Sequence, residues 1–161
     1  MAGRPVYFAA FVALLAALHF TLHLAFGLGS EGPDLITVAV LIAARRLRGA
    51  HAAALGFGLG LLDDGLAVNG FGASALALTI VGYLGARSRD LFEGESLLYV
   101  LVYIFLGKWL RDVLVFLIAP GGTRGDAPSV LLVATPLLAL YASVAGAAAL
   151  IIYRAASGER A

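Results

Sequence analysis

The chain has 161 residues, enough for one domain; 61% of them are hydrophobic and only 13% charged. With a mean hydropathy of +0.97, it lies far from the soluble norm of about a quarter charged residues, which points to an all-α polytopic membrane protein. A net charge of +1 leaves no basic face for nucleic acid, and the lack of cysteine excludes disulfides, thiolate nucleophiles and Cys-ligated zinc.

Six hydrophobic segments follow in order and make a single integral membrane domain over residues 1–161. The first covers residues 5–28. That is longer than a cleavable signal core of about 7–15 residues, so it reads as a retained helix. Pro33 then suits a helix start, and Asp34 falls in the first turn, where the positive helix end favours a carboxylate. The second segment, 34–44, stops at Arg45-Arg46-Leu47-Arg48. The third covers 50–62, the fourth 71–86 and the fifth 97–118; the sixth, 129–153, contains Pro136, expected to kink it.

Lys and Arg resist translocation, so they set orientation. Arg4, the group Arg45, Arg46 and Arg48, the pair Arg87 and Arg89, and Arg154 and Arg160 fall on one side of alternating crossings. Glu31, Asp34, Asp63, Asp64 and Asp126 fall on the other, with Arg124. Six crossings with both termini cytoplasmic satisfy every loop.

The third segment has 13 residues before Asp63. At ~1.5 Å per residue it rises about 20 Å, against a hydrocarbon core of about 30 Å. Asp63 and Asp64 should therefore lie below the interface, inside the bundle. Counted from Leu97, Lys108 and Arg111 stand roughly 16–21 Å along the fifth segment, at the same depth. Isolated charges there would be prohibitive, so Asp63, Asp64, Lys108, Arg111 and Asp112 are expected to meet between the third and fifth helices. Lys108 and Asp112 are also i,i+4 neighbours. The group is either an ionic lock that fixes helix register or a site for a ligand, an ion or a proton; whether pairing is within one chain or between chains stays open.

His19 and His23 share one face of the first helix, a spacing that can hold a metal. The third histidine, His51, sits near the opposite end, so a polar stripe turned towards other helices is expected, with no metal and no cofactor. Gly56-x-x-x-Gly60, Gly82-x-x-x-Ala86 and Ala9-x-x-x-Ala13-x-x-x-Ala17 permit close helix approach, within the bundle or to a partner. Asp63-Asp64-Gly65 opens like an alcohol-phosphatidyltransferase signature, but the paired aspartates that should follow are missing. No Gly-x-Ser-x-Gly, HExxH or Walker sequence appears, and no catalysis is expected.

Pro33-Asp34 stands before an apolar segment ending in Arg45, Arg46 and Arg48, and Gly60-Leu61-Leu62-Asp63-Asp64 follows. Gly70-Phe71-Gly72-Ala73-Ser74-Ala75-Leu76 and Gly82-Tyr83-Leu84 come next. In these motifs residues 33–90 resemble the rod shape-determining MreD family. The resemblance implies a non-enzymatic component of the cell-elongation (rod shape, peptidoglycan synthesis) machinery in the bacterial inner membrane. It implies MreC as partner, indirect links to RodA with its transpeptidase and to MreB filaments, contact with lipid and a homodimer as an option. Size and helix number are also similar to the substrate-binding components of energy-coupling-factor transporters. Those dock through an Ala-x-x-x-Ala motif such as Ala9, Ala13 and Ala17. That second resemblance implies a vitamin or metal captured near Asp63, Asp64, Asn69, Lys108 and Arg111.

Overall fold

The computed structural model describes residues 3–25, 32–66, 72–88, 96–118 and 129–157. Apart from short connections these residues are helical, with no strand among them. The helices are α1 (Gly3–Ala25), α2 (Leu35–Ala44), α3 (Gly49–Leu66), α4 (Ala73–Ser88), α5 (Leu97–Ile118) and α6 (Thr135–Ser157). A π-helical turn, Val130–Ala134, leads into α6 immediately ahead of Pro136, which has no N–H to bond the preceding turn. Glu31, Asn69, Gly70, Phe71, Arg89, Arg124, Asp126 and Arg160 lie outside the described residues.

The short helix α2 is the axis of the bundle. All its residues from Leu35 to Ala44 are buried, and it packs against every other helix. A helix apolar all round has no solvent face to keep, so its ten residues, about 15 Å long, are sheathed on every side. Its N-terminus is capped by Asp34. The carboxylate accepts from the Thr37 backbone N–H at 3.0 Å and from the Thr37 hydroxyl at 2.8 Å. At its far end the Arg46 guanidinium lies 4.0 Å from the Phe8 ring centroid and 5.8 Å from that of Tyr153; Arg45 lies 5.3 Å from that of Tyr99. These cation–π contacts tie the end of α2 to α1, α5 and α6.

The hairpin of α3 and α4 is the tightest joint. A Cβ on Gly56 would sit 2.1 Å from the Leu78 carbonyl oxygen, and one on Gly60 2.5 Å from Ala75 Cα. Gly82 stands likewise against the Ala52 carbonyl, at 2.5 Å. The glycines let two backbones touch where any side chain would hold them apart. Ala86 is buried in a small cluster with Ala44 and Ala52. The third segment, expected to stop at Leu62, runs on as helix through both aspartates to Leu66. Two carboxylates at a helix C-terminus oppose its dipole, and the continuation stands because each finds a strong partner.

Among the described residues, two helices are long and apolar enough to cross a membrane: the stretch Val6–His23 of α1, and Leu131–Ser157 in the last helix. Large apolar side chains crowd the exterior, among them Leu14, Leu98, Leu117, Leu137 and Ile152. Much of the interior is alanine and glycine.

Candidate functional site

Opposite the arginine-rich end, α1, the start of α2, α3 and α5 deliver charged or ionisable side chains to one buried point, and α4 adds the Ser74 hydroxyl. The α5 register does most of this. Lys108, Arg111 and Asp112 are three and four apart, so all three reach the same face of the helix. The Arg111 guanidinium forks among three other helices. Nη1 donates to Asp34 Oδ2 at 3.0 Å, and Nη2 donates to Asp63 Oδ2 at 2.8 Å and to the Ser74 hydroxyl at 3.3 Å. The planar head with its fixed donors joins α5 to the start of α2, the end of α3 and the start of α4.

Lys108 Nζ lies 3.1 Å from Asp34 Oδ2 and also bonds Asp112 one turn along its own helix. Arg111 Nη1 is 3.6 Å from the same Asp112 oxygen. From α1, His19 Nε2 approaches Asp63 Oδ1 at 3.5 Å. His23 Nδ1 lies 3.0 Å from the His19 carbonyl, which can only accept, so that nitrogen carries the hydrogen. The two imidazole ring centroids stand 4.1 Å apart, with the planes tilted by 34°. Among the described residues no group of three or more His, Asp or Glu side chains is arranged to hold a metal.

Asp64 requires a correction. It was expected beside Asp63 in the ionic cluster, but its carboxylate turns away and caps α4. It accepts the N–H groups of Gly72, Ser74 and Ala75 at 2.9, 3.0 and 2.9 Å and is 2% exposed. Consecutive residues stand roughly 100° apart around a helix, so Asp63 and Asp64 cannot both face α5. The backbone amides at the start of α4 stabilise the second charge.

Two members of the cluster are absent from the sequence expectation. Asp34 was placed as a first-turn carboxylate, and His19 in a polar stripe. The depth argument applied to Asp63 finds both. Asp34 precedes an even shorter apolar run, and His19, counted from Pro5, stands ~21 Å along α1 at the height of Arg111. The other candidate positions lie elsewhere. Gly56, Gly60, Gly82 and Ala86 are used up in internal packing, whereas Ala9, Ala13 and Ala17 are exposed on α1. Arg45, Arg46 and Arg48 follow α2, and Arg87 lies in the last turn of α4, at the end remote from the cluster.

A cavity of about 350 Å³ adjoins the cluster, with His19, His23, Asp63, Arg111 and Asp112 on its polar side and Val115, Phe116 and Leu138 on its apolar side. Chemically, the arrangement can hold helices in register and can receive a small polar group. Comparison with protein-family models, curated proteins and solved structures gives no match to this chain.

Proposed function

We propose that the protein is a non-enzymatic membrane scaffold of the MreD kind, crossing the bacterial inner membrane six times with both termini cytoplasmic. The observation that carries this reading is the Arg111 fork, which clamps α5 to α2, α3 and α4 at one buried point. A bundle clamped in this way is a rigid block, and its outward face of large apolar side chains can pack against a single helix of MreC. In lipid such packing relies on shape and contact. The six-crossing reading is supported by the two long apolar helices and by α5, whose 22 residues span about 33 Å. Arg45, Arg46, Arg48 and Arg87 gather at one end, the cytoplasmic one under the positive-inside rule. From there the block would reach MreB filaments and RodA with its transpeptidase indirectly.

A second reading, the capture component of an energy-coupling-factor vitamin or metal transporter, is favoured by the exposure of Ala9, Ala13 and Ala17. Affinity purification in gentle detergent, with mass spectrometry of proteins and small molecules, separates the two. The scaffold reading expects MreC to co-purify. A retained vitamin or metal, with a transporter module and no MreC, overturns it.

A further inference from the structure

We infer that the cavity beside the charge cluster binds a small protonated amine that also carries an oxygen acceptor, the chemistry of ethanolamine, free or as a lipid headgroup. This stands apart from the scaffold reading and needs no partner protein.

The first argument is charge. Among the described residues, Asp34, Asp63 and Asp112 face Lys108 and Arg111 in one ion-pair network, three carboxylates against two cations. Asp64 is held separately by backbone amides. A buried group of charges that fails to balance is expensive, and this one is a single positive charge short. The second argument is hydrogen bonding. His19 Nδ1, Arg111 Nε and Asp112 Oδ2 are buried and have no partner, and all three residues line the cavity. The His19 side chain is 5% exposed. Buried polar atoms left unpaired are rare, so three of them in residues that line one cavity point to an occupant.

Their chemistry describes the occupant. With the His19 Nε2 hydrogen turned to Asp63, Nδ1 presents a lone pair, and Asp112 Oδ2 presents an anionic oxygen. Two acceptors and a missing positive charge suit an ammonium group. The Arg111 Nε–H is a donor and calls for an oxygen on the same molecule. A bare metal ion would leave that donor unanswered, and an anion would add to the surplus. Val115, Phe116 and Leu138 offer the short methylene spacer an apolar wall.

The test uses the full chain in detergent, with ethanolamine hydrochloride as probe followed by calorimetry and thermal unfolding. Saturable binding and a rise in Tm are expected, with no response to equal sodium chloride or to ethylene glycol. Asp112→Asn should weaken binding roughly 10-fold to 100-fold, the loss of one charge-assisted contact. Because that change also disturbs Lys108, Leu138→Trp provides a second variant that fills the cavity and leaves every charge in place; it should abolish binding. Vesicles of phosphatidylglycerol mixed with either phosphatidylethanolamine or phosphatidylcholine distinguish the sources. A headgroup ligand raises Tm in the former mixture alone, and a free ligand raises it equally in both. No response to ethanolamine in either setting overturns the inference, as does binding unchanged in both variants. So does stabilisation by acid alone that His19→Gln removes, which would mean that a proton supplies the missing charge.

Discussion

Arg111 and Asp63, 48 positions apart in the chain, meet through Nη2 and Oδ2 at 2.8 Å. The same guanidinium reaches Asp34 at 3.0 Å and lies 3.6 Å from Asp112, so removing it takes a cation from three carboxylates, of which Asp34 and Asp112 keep Lys108 and Asp63 does not. Arg111→Met should therefore destabilise the bundle by about 3–5 kcal/mol, the range for a buried pair cut on one side. Adding Asp63→Leu to Arg111→Met should recover part of that loss, because the double variant leaves no unpaired charge at Asp63. Unfolding in mixed detergent measures both, and a double variant less stable than Arg111→Met refutes the lock.

The Asp64 carboxylate accepts three backbone N–H groups at the start of α4 and bonds no side chain among the described residues. Asp64→Ala strands all three donors. Each charge-assisted bond is worth about 1.5–3 kcal/mol, so the loss should exceed that of a typical helix cap at about 1 kcal/mol. Amide hydrogen exchange checks where it acts: Gly72, Ser74 and Ala75 should lose protection, and α2 should keep it. Equal deprotection of both regions would show that Asp64 serves the whole bundle.

Glycines along α3 supply an internally controlled pair. Gly56→Ala puts a methyl group 2.1 Å from the Leu78 carbonyl oxygen, whereas a Cβ on Gly58 meets nothing within 4 Å. Gly58→Ala should be neutral or stabilising by up to about 1 kcal/mol, the helix preference of Ala over Gly. Gly56→Ala should force α3 and α4 apart and lower Tm by several degrees, as about 1–3 kcal/mol of overpacking does in a domain this size. Two variants with the same Tm would contradict the close hairpin.

What the sequence made legible was mostly depth. Charges interrupting apolar runs place Lys108 and Arg111 level with Asp63, and the limits of the fifth segment, 97–118, coincide with those of α5. Direction around each helix was less legible. Asp63 and Asp64 are adjacent in sequence, and only the packing of α4 shows which faces α5. Asp34 was hidden because a first-turn carboxylate already has a local explanation, Thr37, which conceals its second role with Lys108 and Arg111. The burial of α2 on all sides was equally hidden, since an apolar run reads alike whether lipid or protein surrounds it.

The stripe Ala9, Ala13 and Ala17 bears on the partner. These alanines are exposed along α1, and Val6, Tyr7, Leu14 and Leu18 beside them are exposed too, at 66%, 67%, 64% and 44%. A ridge of small residues between larger ones is a groove into which another helix can settle. Ala13→Leu fills that groove without touching the core, where Val12, Leu15 and Ala16 point inward. Tm should stay within about 0.5 kcal/mol equivalent, as for substitutions remote from the core. Under the proposed scaffold reading, if α1 carries the docking surface, the yield of co-purified MreC should fall severalfold. On that reading, retention of MreC with an unchanged Tm would move the docking face to another helix, with α6 the first candidate because Leu137, Leu140, Val144 and Ile151 form an exposed apolar ridge along it. Leu140→Ala and Val144→Ala would then be the variants that release it.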